Sequence, residues 1–362
     1  MNRSLKIALL VLCSALPTTG HATVADRFER VSPAEAGYSE TGLAELEATL
    51  ERRGSSAMLL LHGGRVFFEY GDIHQVTFIH SIRKALLSSL VGIHAARGEL
   101  DLDATLEELG IDDAPQSLTA QEKRATLRQL MAGRSGIYLP AAAESAGMEA
   151  SRPARGSHAP GSFHYYNNWD FNAVGAIFEQ ETGKGVFETF FSELAEPLGM
   201  LHYRGEEIAL ELPADVALGD ADSIYQFERS RSRFPAYHFR LSAHDLALYG
   251  QLMLQRGQWQ GEQLIPEAWI DQATQPVSIV DAEWDLAYGL MWQVLIPDEG
   301  TATAPSFYHT GTGVHMLGVY PALDLVMVHR VDTEQPYRFG GGDLIDIIRL
   351  MHGARVAGAS GS

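Results

Sequence analysis

The order of apolar runs along the chain predicts an α+β fold. The expected core is an antiparallel sheet of about five strands, flanked by helices in three α/β/α layers, with a mostly helical lobe inserted into it. Three observations carry this reading. Two apolar runs joined by Gly63-Gly64 lie near the amino end, and three more lie near the carboxyl end. Between them, from about 101 to 270, the chain reads mostly as helical segments and loops. Runs so far apart in sequence bury their apolar faces together only by pairing in one sheet.

The chain has 362 residues, and the first two dozen read as a secretory leader. Arg3 and Lys6 precede an apolar stretch, Ile7 to Leu16, that is too short to span a bilayer. Pro17 breaks it, and the small residues around Ala22 suit cleavage there, with a second possible cut after Ala25. A leader over residues 1–22 implies a periplasmic or secreted protein with no stable membrane anchor. Cys13, the only cysteine, lies inside that leader, so the mature chain has no disulfide and no thiolate ligand. Removing Arg3 and Lys6 takes the formal charge from −19 to −21. An acidic surface of this size repels nucleic acid, and any acidic substrate requires a local basic site.

Leu43, Leu46 and Leu50 give residues 40–52 a helical period. AMLLLH and RVFFEYG around Gly63-Gly64 read as a hairpin with a primed turn. FIHSIRKALLSSLVGIHAARG, residues 78–98, then contains a helix that carries no charge from Ala85 to Ala96, the mark of a buried helix. Lys84 lies in its first turn, where both the macrodipole and burial disfavour an ammonium. ATLRQLMAG is a short helix, and residues 139–162 form a long Ala-, Gly- and Ser-rich loop of the kind used as a lid or binding loop. Helices are expected over 168–181, 185–196 and 242–256. PSFYHTG, VHMLGVYP and DLVMVHRVD read as a meander, and LIDIIRLMHG as a closing amphipathic helix. The expected organisation is one catalytic domain over 23–355. Its sheet lobe spans roughly 23–78 plus 284–355, its helical lobe roughly 79–283, and a flexible tail follows at 356–362.

Three short motifs carry chemistry. Ser81-Ile82-Arg83-Lys84 is the only S-x-x-K in the chain. Residues three apart on a helix share a face, so a hydroxyl and an amine can touch there. A lysine that has lost its proton can activate the serine as a nucleophile. Tyr166-Asn167-Asn168 leads into a helix. The tyrosine can relay a proton and the Asn168 amide can hold a carbonyl, with Tyr165 a rival for the tyrosine's part. His309-Thr310-Gly311 ends a strand-like run, and Gly311 and Gly313 permit close approach to the backbone. The Ser81 and Thr312 amides are then candidate oxyanion donors.

Taken in order over some 230 residues, Ser81-x-x-Lys84, Tyr166-x-Asn168 and His309-Thr310-Gly311 resemble the three motifs of the serine β-lactamase and penicillin-binding-protein superfamily. LRQLMAGRSGI, PGSFHYYNNWDFNAVGAIFE and FRLSAHDLALYGQLMLQRGQWQGEQLIPEAWI resemble its surrounding segments, over about residues 35–355. The tyrosine-type middle motif is similar to that of class C β-lactamases, related esterases and D-aminopeptidases. Counting back from Val174-Gly175, the family pattern selects Tyr166 over Tyr165. YNNWDFN, YGLMW and HRVDT look most like the aminohexanoate-oligomer hydrolase branch. The chain departs from class C enzymes at His309, where they carry a permanently charged lysine. Histidine is only partly charged near neutral pH, which favours ester or amide substrates over β-lactams.

The resemblance implies a β-lactamase/transpeptidase-like fold and a serine hydrolase acting through an acyl-enzyme on Ser81. Lys84 and Tyr166 then share the general acid and base work, in an order the sequence leaves open. Asn168 orients Lys84 and the substrate carbonyl, and His309 supports Tyr166 or binds a substrate carboxylate. The expected partner is a small ester, amide or short peptide. No cofactor or metal is expected: there is no H-E-x-x-H, and the 14 histidines show no tight ligand spacing. A G-x-S-x-G elbow is also absent. A D,D-peptidase or β-lactamase on the same scaffold, and a non-catalytic binder of peptides or wall fragments, are the alternatives. Neither the natural substrate nor the oligomeric state can be read from the sequence.

Overall fold

The computed structural model describes residues 28–212, 218–297 and 304–356. The expected leader and tail lie outside these residues, the tail save for Val356. Fourteen strands are described. In the first half they are β1 (Ala57–His62), β2 (Arg65–Gly71), β3 (Thr77–Phe78), β4 (Glu207–Glu211), β5 (Ser223–Phe227) and β6 (Ala236–Leu241). In the second half they are β7 (Gln258–Trp259), β8 (Glu262–Gln263), β9 (Ser278–Asp281), β10 (Leu286–Tyr288), β11 (Gln293–Leu295), β12 (Ser306–Gly311), β13 (His315–Tyr320) and β14 (Leu325–Arg330). The main sheet has the order β2-β1-β14-β13-β12-β11-β10-β9.

The hairpin and meander do meet. β1 pairs antiparallel with β14, placing Leu60 opposite Met327 and Leu61 opposite Val326. Gly63 and Gly64 adopt φ 58° and 73°, the left-handed pair a primed hairpin turn requires. Strand alternation then separates two cores. Met58, Leu60 and Met327 face one side, under the helices Glu40–Arg53 and Gly341–Gly353. Leu59, Leu61, Val326 and Val328 face the other, toward the helices Arg83–Ala96 and Ala243–Leu254. The second of these sits close: a Cβ on Gly250 would lie 2.6 Å from the Val326 side chain.

The sheet has eight strands rather than about five. The additional β9, β10 and β11 are three or four residues long, too short for alternation to stand out in SIVDAEWDLAYGLMWQVL. A second difference lies in the inserted region. It contains a four-stranded sheet, β3-β6-β5-β4, where helices and loops were expected. Arg330 ties this sheet to the main one. Its buried guanidinium donates to the carbonyls of Leu241, Thr77 and Phe78 and to the Thr77 hydroxyl. Those bonds fix the β3 strand that leads directly into Ser81.

Candidate active site

The site begins with a strained turn. His80 takes φ 48°, a left-handed conformation costly for a residue with a Cβ. Its Nε2 lies 2.8 Å from the Thr333 hydroxyl, which holds the ring in place. A 3₁₀ turn, His80–Ile82, then delivers Ser81 half-buried at the mouth of the helix Arg83–Ala96. That helix has no side-chain cap, and Lys84 in its first turn is wholly buried.

Lys84 Nζ lies 2.8 Å from Ser81 Oγ. The amine also sits over aromatic faces, 4.7 Å from the Tyr166 ring centre and 5.1 Å from that of Phe171. Burial pushes its pKa well below the ordinary lysine value, and the neighbouring Arg83 charge pushes it further down. Burial pushes the Tyr166 hydroxyl up to about 12, against an opposing contact with the Ser81 hydroxyl. The two groups thus carry opposite biases: the amine favours losing its proton and the phenol favours keeping it. Tyr165 is excluded from the site, because its hydroxyl donates to the Met148 carbonyl in the long loop.

Strand β12 closes the opposite wall. A Cβ on Gly311 would stand 2.5 Å from the Ile79 carbonyl oxygen and 3.0 Å from His80 Cβ, so only glycine lets this strand pack against the Ser81 turn. Gly311→Ala is therefore expected to push β12 away from Ser81. Turnover should fall about 100-fold and stability by about 1–3 kcal/mol, read from ester kinetics and thermal unfolding. Unchanged kinetics would show that β12 need not touch the turn. Thr312 follows in the β12–β13 turn and lines the same cavity as Ser81. Among the described residues, neither the Ser81 nor the Thr312 amide donates to a backbone carbonyl.

Two side chains behave differently from the sequence expectation. His309 is buried with its ring 6.4 Å from that of Tyr166, and its Nδ1 lies 2.9 Å from the Thr310 carbonyl. Burial first, then the Lys84 charge, pushes its pKa down to about 3, so it is a neutral imidazole rather than a cation for a carboxylate. Asn168 does not reach Lys84. Its Nδ2 donates to the Ala143 carbonyl at 2.6 Å, and its buried Oδ1 has no partner. Ala143 is held at φ 59° in the long loop, which carries the helix Ala146–Ser151 and walls the cavity with Ala143, Glu144 and Ser145.

The cavity beside Ser81 measures about 340 Å³. A larger cleft of about 850 Å³, near His202, Arg204 and Arg240, holds none of the motif residues. The sequence reading passed over Arg83, Gln226 and His238, which also line the Ser81 cavity. Arg83 stands inside the S-x-x-K motif, but no local pattern marks its side chain as facing inward. No group of three or more His, Cys, Asp or Glu suited to a metal ion occurs among the described residues.

Among curated protein sequences none matches the chain. A Bacillus anthracis protein proposed to be a 6-aminohexanoate-dimer hydrolase is 17% identical. It superposes with a TM-score of 0.64 over 90% of this chain and 86% of that one. The octameric penicillin-binding protein homologue of Pyrococcus abyssi gives 17% identity and a TM-score of 0.61, covering 87% of this chain and 78% of its own. A family VIII carboxylesterase gives 15% and 0.60, covering 90% of this chain and 99% of its own. At these identities the likenesses speak to the fold. The Beta-lactamase family model matches residues 43–348, most of the chain, and the chain belongs to that family.

Proposed function

We propose that this protein is an exported serine hydrolase that cleaves an ester or amide bond through an acyl-enzyme on Ser81. The observation that carries the reading is the buried Lys84 amine 2.8 Å from Ser81 Oγ, biased toward its neutral form. A neutral amine can accept the serine proton as Oγ attacks the carbonyl carbon. The free Ser81 and Thr312 amides suit the developing oxyanion. Tyr166, held protonated, is placed to give its proton to the leaving group and later to take one from water. Lys84 is thus the base in the resting enzyme and Tyr166 the acid. The two remain one coupled pair through the cycle.

The neutral His309 offers no cation at the place where a lysine would pair the carboxylate of a β-lactam, which favours other esters or amides over β-lactams. The named activities of the dimer hydrolase and carboxylesterase neighbours fall in the same class of bond. Export rests on the leader pattern in residues 1–22. A fluorophosphonate probe tests the reading. It should add one phosphonyl group, located on the Ser81 peptide by mass spectrometry. No adduct, or one on another serine, would remove Ser81 from its role.

A further inference from the structure

We propose that the Ser81 cavity selects acyl groups carrying a carboxylate, and that the Arg83 guanidinium binds that carboxylate. The proposal rests on the serine hydrolase reading above and specifies its substrate class. Arg83 is only 1% exposed, yet it lines the cavity. Its Nη2 donates to Asn172 Oδ1 at 3.0 Å, and its guanidinium carbon lies 4.2 Å from the Tyr237 ring centre. The groups that bear on it are Tyr237, whose hydroxyl interacts with the guanidinium, and Tyr166, with no carboxylate among them. A buried guanidinium with no counter-ion is expensive to keep. It makes sense where a ligand supplies the anion, and Arg suits a carboxylate better than any other side chain.

The other groups around the cavity agree. Glu144, on the facing wall, is already engaged by Arg152 at 2.6 Å and Arg231 at 2.9 Å, so it does not serve Arg83. Lys84, His238 and His80 are all biased toward their neutral forms, and His309 adds no charge from the strand. Arg83 is therefore the standing cation of the cavity, in a protein whose formal charge is −19. This is the local basic site that an acidic substrate requires here. The carboxylate is assigned to the acyl side, which stays bonded to Ser81 next to Arg83 after the leaving group departs. A cavity of about 340 Å³ is at the small end for ligand sites, which fits a short dicarboxylic acyl chain.

The test compares mono-4-nitrophenyl glutarate with 4-nitrophenyl pentanoate, which has the same chain length without the charge. In each, Ser81 Oγ bonds to the acyl carbon as the ester C–O bond breaks. 4-Nitrophenol leaves with the proton, and water releases the acid. The wild-type protein should prefer the glutarate ester about tenfold or more in kcat/KM, a charged hydrogen bond's worth. In Arg83→Gln the ratio should fall to about one, whatever the variant's absolute rate. Inhibition of the wild type by free glutarate, but not by pentanoate, is a second reading that needs no variant. Equal or better turnover of the pentanoate ester by the wild type overturns the Arg83 assignment alone. So does a preference that survives in Arg83→Gln. Turnover of neither ester, with no fluorophosphonate adduct on Ser81, overturns the hydrolase reading and this assignment with it.

Discussion

Ser81→Ala is expected to lower kcat/KM for 4-nitrophenyl esters by about 10⁴-fold or more. The lost group is one oxygen, but three structural devices converge on it. The left-handed His80 aims it, the first helical turn sets Lys84 Nζ 2.8 Å away, and Gly311 brings the β12 wall within reach of the same turn. Without Oγ, the neutral amine has no proton to take and Tyr166 has no acyl-enzyme to resolve. What survives is binding together with the Ser81 and Thr312 amides, which the substitution leaves in place. Ser81 is half-buried, and its side chain's hydrogen-bond neighbours are Lys84 and Tyr166. The fold should therefore tolerate the change, and the thermal midpoint should stay close to that of the wild type. A variant that folds normally and keeps even a tenth of the rate would place the nucleophile elsewhere.

The parts of this site that sequence reasoning reached are those governed by local spacing. Ser81 and Lys84 lie one helical turn apart, so their contact follows from helix geometry once the helix is recognised. The hairpin from Ala57 to Gly71 and the meander from Ser306 to Arg330 are long apolar alternations around glycines, and their pairing follows from the need to bury both. The parts that were missed depend on long-range packing. Arg83 looks like an ordinary surface residue beside Lys84 until Asn172 and the Tyr237 ring, from distant segments, close over it. Asn168 was expected beside the lysine, but the left-handed Ala143 presents a carbonyl that captures its amide first. The strands Glu207–Glu211, Ser223–Phe227 and Ala236–Leu241 mix polar and aromatic residues over five or six positions. Their pairing depends on distant segments, and Arg330, reaching across from β14, ties the end of Ala236–Leu241 to Thr77–Phe78.

Lys84→Met should separate catalysis from stability. The substitution keeps the length of the side chain and removes its basicity. Loss of the base is expected to cost about 10³–10⁴-fold in kcat/KM. In the wild type, kcat/KM should rise with pH along a limb set by Lys84, with a midpoint below the ordinary lysine value of 10.5. The working form is the free amine, so activity is present above that midpoint and lost as pH falls through it. In the variant the limb should vanish. Burial biases Tyr166 toward its protonated form and His309 toward its neutral form, so neither reproduces that limb. Stability should move the other way. Between the lowered folded pKa and 10.5, the unfolded chain holds a proton on Lys84 that the folded chain does not. Wild-type stability therefore rises with pH across that window, and below it the buried amine carries its full penalty. Methionine carries no such penalty and packs against the same Phe171 and Tyr166 faces. The thermal midpoint of Lys84→Met at pH 7 should therefore exceed that of the wild type, with a flatter pH dependence. A variant that keeps the same activity limb would mean that another group titrates there and takes the serine proton, and one less stable than the wild type at pH 7 would mean that the contacts of the amine outweigh its burial penalty. On the proposed mechanism the two expected results share one cause, because the burial that weakens the fold is what frees the Lys84 amine to act as a base.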